Sequence, residues 1–278
     1  MPISASLTKR CLVLVAVFSI SWMSQAAAQD PSTITLDRMD ATTRVGIQVG
    51  FDKMDDVSLS DGFAMRFEPY GQYVFPGKTI GLYGQWPISH MFVSNGPDAT
   101  GTGNLDVGAF FLPTHSSDLI LRTGIAFDTA STSNRERAAN NLATFERLTD
   151  LLLIAPNYTT FRVSASTLQQ SGLAFFRGDL GFDLAIDKPS AGRGVYLRAN
   201  LAAGVRLPSV DLAVELVNIG VLDGNVSGGI SNRFFHTLAL GFHTRGTDQF
   251  RAGMVFPLDE AMRGEIWILS LGYQHAVD

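Results

Sequence analysis

Cysteine is all but missing from this chain: 278 residues contain one, Cys11. It opens an apolar run from Cys11 to Met23 that follows Lys9 and Arg10 and gives way to Ala26-Ala27-Ala28. A basic start, a short apolar stretch and an Ala-x-Ala step mark a secretory leader. Residues 1–28 are therefore read as a signal peptide cleaved after Ala28. The run falls short of the ~20 residues a membrane-spanning helix needs. Cys11 has no apolar stretch before it, which argues against a lipoprotein anchor. The remaining segment, 29–278, then forms no disulfide and holds no cysteine-bound metal.

Long apolar runs are also lacking. No later segment stays apolar long enough for a helical span, and mean hydropathy is only +0.14 although 46% of residues are hydrophobic. Positive charge is scarce, with 21 Lys and Arg against 26 Asp and Glu and a formal net charge of −5. Loss of Lys9 and Arg10 with the leader makes the balance more negative. Nucleic acid and anionic membrane surfaces are thereby disfavoured as general partners. His90, His115, His236, His243 and His275 show no metal-ligand spacing, and His236 and His243 have opposite strand parity. Gly101-Thr102-Gly103 lacks the following helix that a phosphate loop requires. No metal, cofactor or catalytic set is implied.

What the chain does have is a period of two. Val195, Leu197, Ala199, Leu201, Ala203, Val205 and Leu207 alternate with Tyr196, Arg198, Asn200, Ala202, Gly204 and Arg206. Similar rows return along the chain: Val45, Ile47, Val49 and Phe51 oppose Arg44, Gly46, Gln48 and Gly50. Phe176, Leu180, Phe182, Leu184 and Ile186 oppose Arg177, Asp179, Gly181 and Asp183. Behind a secretory leader, an apolar face this continuous reads as a closed barrel in lipid, where no sheet edge can be left unpaired.

Twelve strands are predicted, at 44–51, 62–75, 79–88, 104–112, 118–128, 158–166, 171–186, 194–207, 210–219, 233–244, 247–257 and 264–275. Short joins after Phe75, Leu112, Ser166, Leu207 and Thr244 alternate with longer ones at 52–61, 89–103, 129–157, 187–193, 220–232 and 258–263. Outer-membrane barrels sort their loops in this way, short in the periplasm and long outside. An even count puts both termini on the periplasmic side. In the last strand Trp267 and Tyr273 bracket Leu269 and Leu271, a spacing suited to aromatic girdles.

One segment keeps another period. Ser133-Asn134-Arg135-Glu136 reads as a capping box, and Ala138, Leu142, Phe145, Leu148, Leu151 and Leu152 follow at near-helical spacing until Pro156. A helix over 133–155 is predicted in the longest external loop. Its apolar side, Leu142, Phe145, Leu148 and Leu152, is placed at the pore mouth, either packed over the rim or folded into the lumen.

Parity assigns a lumen-lining set. The bases are Arg44, Arg66, Arg122, Arg162, Arg177, Arg198, Arg206 and Arg251. The acids are Glu68, Asp106, Asp179, Asp183, Asp211 and Glu215, with Asn200 among them. Ion pairs of this kind either neutralise buried charge or form a polar conduit whose charges select solutes. A lipid hydrolase is the weaker alternative: Ser89-His90 and Ser94-Asn95 stand close together, but a nucleophile needs its base at i, i+2 on one strand.

Two stretches resemble a known family. Thr100-Gly101-Thr102-Gly103-Asn104-Leu105-Asp106-Val107-Gly108-Ala109, then Leu121-Arg122-Thr123-Gly124-Ile125-Ala126-Phe127-Asp128-Thr129-Ala130, resemble paired strands of the outer-membrane proteins of phenol meta-pathway degradation. The chain departs from that pattern at Asn104, where the family favours Asp, and at Asp128, where Pro is common. Its end also departs from the usual terminal aromatic, with Gln274 to Asp278 following Tyr273. The resemblance implies an outer-membrane barrel passing small, aromatic or other organic compounds.

The expected protein is all-β: a transmembrane, antiparallel up-and-down barrel with one helical external loop. Residues 29–278 form one outer-membrane domain of a Gram-negative bacterium. Its partners are membrane lipid, small solutes and the barrel-assembly machinery. A passive channel is the first reading. A closed structural or surface-interaction barrel is the second, since barrels of about eight strands are filled and those of about 16 are open.

Overall fold

The computed structural model describes residues 34–36, 40–54, 62–93, 97–115, 118–186, 194–222, 234–259 and 266–277. Residues 1–33, Ser94 and Asn95, and the outer parts of four long joins lie outside the described residues. The strands are β1 (Arg44–Met54), β2 (Gly62–Val74), β3 (Ile80–Gln85), β4 (Ile88–Val93), β5 (Ala99–Thr102), β6 (Leu105–Phe111) and β7 (Leu119–Phe127). A helix α1 (Asn134–Leu142) and a 3-10 segment (Phe145–Leu153) follow. Then come β8 (Thr160–Ser171), β9 (Ala174–Ala185), β10 (Gly194–Arg206), β11 (Val210–Val221), β12 (Phe234–Thr244), β13 (Asp248–Pro257) and β14 (Ile266–Ala276).

The sheet closes on itself. Arg44 stands opposite Ala276 of β14 on one side and Gln72 of β2 on the other, so β1 joins first strand to last. The architecture is a closed antiparallel barrel of twelve staves, because two staves are broken in the middle. β3 and β4 both pair with β2 on either side of Trp86-Pro87. β6 and β5 pair with them in turn, on either side of Gly103-Asn104. Proline carries no amide hydrogen and cannot donate to a ladder, which fits a break at Pro87. The predicted loop at 89–103 is corrected by this pairing: most of it is the β4–β5 hairpin extending two staves outward. The predicted turn at 168–170 is also corrected. β8 runs on to Ser171, and the reversal falls at Gly172, whose φ of +58° a glycine adopts without strain.

The single helix predicted over 133–155 is in fact two elements. The capping box is present: Glu136 N donates to Ser133 Oγ at 3.4 Å, and Ser133 N to Glu136 Oε2 at 3.3 Å. The chain then leaves the helical path, with Arg147 at φ −137°, ψ 82°. Hydrogen bonds to other parts of the barrel replace those that a regular helix would have made there.

Inside and outside are chemically inverted relative to a soluble protein. Leu180, Phe182, Val205, Leu212, Leu240 and Leu271 are exposed, while Arg162, Asp183, Arg198 and Glu215 are buried. Rings gather on the outer face at both ends. Phe63 lies between Phe51 and Phe92 at the loop end; Tyr73 packs on Phe75, and Phe250 on Tyr273, at the turn end. Such bands suit the two interfaces of a bilayer. Leu180→Arg is accordingly expected to cost about 2–4 kcal/mol in reversible folding into vesicles, and Leu173→Arg, at a turn, about 0–1 kcal/mol. Equal losses at the two positions would contradict this placement of the lipid face.

Candidate functional site

All of the residues that parity assigned to the lumen are buried in the barrel interior. Seven of the fifteen belong to one ion-pair network. Arg162 is its hub: Nη1 reaches Asp106 Oδ2 at 2.9 Å, Nε reaches Asp183 Oδ1 at 3.3 Å, and Nη2 reaches Asp150 Oδ1 at 3.6 Å. Arg122 joins at Asp106 (2.6 Å) and stacks on the Tyr83 ring, and Arg198 joins at Asp183 (3.1 Å). Arg66 pairs with Glu68 and, at 3.0 Å, with Asp150. Outside the network, Arg177 pairs with Asp179 and Arg206 with Asp211, both at 3.3 Å. Arg44 pairs with Asp40, Arg251 donates to the Tyr70 hydroxyl, and Asn200 Oδ1 accepts from Asn218 N at 3.1 Å.

Two segments fill the barrel between these walls. The 3-10 segment has entered the lumen, whereas α1 stays at the rim, where Asn140 Nδ2 donates to Thr102 O at 3.0 Å. Rim and lumen are thus each occupied by half of the predicted helix. Of the predicted mouth residues, Leu148 and Leu152 are buried and Leu142 is half-buried; the Phe145 side chain lies outside the described residues. Leu148 packs with Leu36, Ala202, Val217 and Ile219, so one part of the interior is apolar.

The second filling segment is Ile34-Thr35-Leu36. The Glu215 carboxylate accepts from Ile34 N at 2.5 Å and from Thr35 N at 2.7 Å. On its other side Arg147 Nη1 donates to Ile34 O at 3.3 Å and to Leu36 O at 3.4 Å, and Thr149 Oγ1 to Thr35 O at 2.9 Å. The Ile34 side chain sits in a notch made by the paired Gly241 and Gly253, where a Cβ on either glycine would overlap it. The two segments therefore hold each other, and Arg147 links both to the wall through Asp150 at 2.7 Å.

The inserted segment returns to the wall at the stave break. Asn104 N donates to Leu153 O at 2.5 Å in place of a neighbouring strand. Its side chain does more: Nδ2 donates to the carbonyls of Leu152, Ala155 and Tyr158 at 3.1, 2.8 and 3.3 Å. Oδ1 accepts from Thr129 N at 3.0 Å and Ala130 N at 2.9 Å.

Several of these residues are new to the reading. Gln85 obeys the same parity as the predicted set and was legible from it, whereas Asp52 obeys it only because β1 runs on to Met54, past the strand end predicted at 51. Glu146, Arg147 and Asp150 were hidden, because a helical period assigns them to a solvated face. Nothing in Ile34-Thr35-Leu36 announces a luminal segment. The hydrolase alternative loses its geometry here. Ser89 and His90 are adjacent on β4 and point to opposite faces, Ser89 buried and His90 bonded to Thr100 Oγ1 at 2.8 Å.

The fold and its charged interior define a class: an outer-membrane-type barrel of twelve staves with a folded-in loop. No protein-family model matches the chain, and no curated protein matches its sequence. Among solved structures it is similar to an outer-membrane channel from Pseudomonas putida F1, with 13% identity, a TM-score of 0.58, and 91% of this chain and 100% of that chain covered. It is also similar to the translocator domain of the autotransporter NalP from Neisseria meningitidis (12% identity, TM-score 0.48, 98% and 94% covered). A third is the monoaromatic hydrocarbon channel CymD (11%, 0.42, 86% and 89%). At such identities the likeness is one of fold.

Proposed function

We propose that the protein is a channel of the Gram-negative outer membrane that passes small solutes, aromatic or other organic compounds among them. One observation carries this reading. The wall closes through its own strand ladder, so the 3-10 segment and Ile34-Thr35-Leu36 are additions to a complete barrel and not parts of its closure. A polar interior with an apolar strip along Leu36, Leu148 and Ile219 suits solutes that carry both a ring and a polar group. The charged residues assigned to the lumen would line that path, and the half-buried and buried leucines of the inserted segment would form its mouth.

In this reading residues 1–28 leave as a signal peptide and 29–278 form the barrel, inserted by the barrel-assembly machinery. Both termini and the short turns face the periplasm, and the long joins face outward. The filling of the lumen favours a second reading, a closed structural or surface-interaction barrel. Current through purified protein in a planar bilayer separates the two. A channel gives discrete conductance steps that small aromatic solutes interrupt; a closed barrel gives none.

A further inference from the structure

The interior is not neutralised everywhere, and the imbalance lies where the 3-10 segment meets β1. Glu146 is fully buried and lies on Gly50, where a Cβ would overlap its carboxylate. Oε1 accepts from Gln48 Nε2 at 2.8 Å and from Ser270 Oγ at 3.1 Å. Oε2 has no hydrogen-bond partner among the described residues. Asp52 is the next inward position on β1 after Gly50, about 7 Å along the strand. It is 1% exposed, and neither of its carboxylate oxygens is bonded among the described residues. Two buried carboxyl groups thus stand at successive inward positions of β1, with three oxygens unbonded among the described residues.

The charges around them do not make up the difference. β2 brings Arg66 and Glu68, and the 3-10 segment itself brings Arg147 and Asp150. Arg66 donates to Glu68 and Asp150, and none of its hydrogen bonds reaches Asp52 or Glu146. From β11, Glu215 is held by the amides of Ile34 and Thr35; from β13, Arg251 stacks on Tyr70. β14 offers the neutral Ser270. His236 and His243 of β12 are turned to Asp259 and Gln249. Arg66 and Arg147 therefore stand among four carboxyls, and Arg162, 3.6 Å from Asp150, is already engaged by Asp106 and Asp183. Like charges in so confined a space cannot all be ionised.

We propose that Asp52 and Glu146 share one proton, and that this proton keeps the 3-10 segment seated in the barrel. It sits on an oxygen of one of the two carboxyls. When it leaves for water, only an O–H bond is broken, and two like charges remain in the same buried part of the barrel. Burial pushes the Glu146 carboxyl above its ordinary value, while Arg66 and the Gln48 hydrogen bond draw it part of the way back. In the released segment Glu146 is an ordinary exposed carboxyl. The seated form, with the higher affinity for the proton, is fully favoured below the ordinary carboxylate range. It loses ground as pH rises from there through the raised value of Glu146. Each unit of separation between the two values corresponds to about a tenfold change in the seated-to-released ratio.

The electrical readout rests on the channel reading, so the position of the segment is measured as well. A trifluoromethyl tag on Leu151→Cys, half-buried between the segment and the wall, is followed by fluorine resonance in a Cys11→Ser chain. The pH is varied from about 4 to about 8. The signal is expected to pass from a buried to a solvent-exposed environment as pH rises, with open probability rising several-fold in parallel. Glu146→Gln, which is neutral at every pH and keeps the Gln48 and Ser270 contacts, flattens both curves in the seated form. Asp52→Asn removes the like charge and shifts the transition to lower pH without abolishing it. Curves for Glu146→Gln that match the wild type overturn the proposal. So does a tag that never leaves its buried environment in the wild-type chain. A tag that moves as expected in a barrel passing no current supports the proton switch and rejects the channel.

Discussion

Asn104→Asp is expected to unseat the inserted segment while leaving the barrel wall folded. The two side chains have the same shape, but the carboxylate cannot donate. Three carbonyls, of Leu152, Ala155 and Tyr158, would lose their donor and face a negative oxygen instead. Leaving a buried polar group unsatisfied costs about 1–3 kcal/mol, and here three such losses fall on one short segment. The amides of Thr129 and Ala130 keep their acceptor, so the strand end is less affected. Limited proteolysis of folded protein is expected to cut between residues 145 and 158 several-fold faster than in the parent chain, with channel open time lengthened. An unchanged cleavage rate would mean that the segment is held elsewhere.

Arg162→Met is expected to be among the most damaging single changes in the wall. It leaves Asp106, Asp183 and Asp150 around an apolar stem and removes the 2.9 Å bond from Nη2 to Thr149 O. Removing one partner of a buried ion pair costs about 3–5 kcal/mol, because the other charge stays buried without compensation. Arg177→Met leaves a single acid, Asp179, at a distance of 3.3 Å in the parent, and should cost less. Urea unfolding from lipid vesicles measures both. Equal, small losses would show that water reaches the network and screens it, a result in favour of a wide lumen.

These two residues also show what the sequence could and could not disclose. Arg162 was legible, because side chains on a strand alternate and the apolar row beside it fixes which face meets lipid. The same rule placed Arg66, Asp106, Asp183, Arg198 and Glu215 inside without any tertiary information. Asn104 was visible only as a departure from a motif. Its partners come from a loop about 50 residues further on, and no local pattern links the two. The stave breaks were missed, with Pro87 and Asn104 placed inside predicted strands, and 89–103 was read as a loop because the outer hairpin β4–β5 is short and rich in polar and small residues. The 133–155 segment misled for a different reason. Its period favoured one helix, but bonds from Arg147 and Asp150 to the barrel interior outweigh those the regular helix would have made. Ile34 to Leu36 were beyond reach, because a three-residue segment clamped by a distant carboxylate has no signature of its own.

The central claim is that a solute path exists in this barrel and that the inserted segment narrows it. Single-channel conductance in a planar bilayer, compared between the intact chain and one in which 145–153 is replaced by a short Gly-Ser linker, tests it most directly. The account predicts small, discrete steps for the intact protein and several-fold larger ones for the replacement, with the barrel still assembled. Absence of current from both forms, with folding intact, would contradict it and leave a closed barrel.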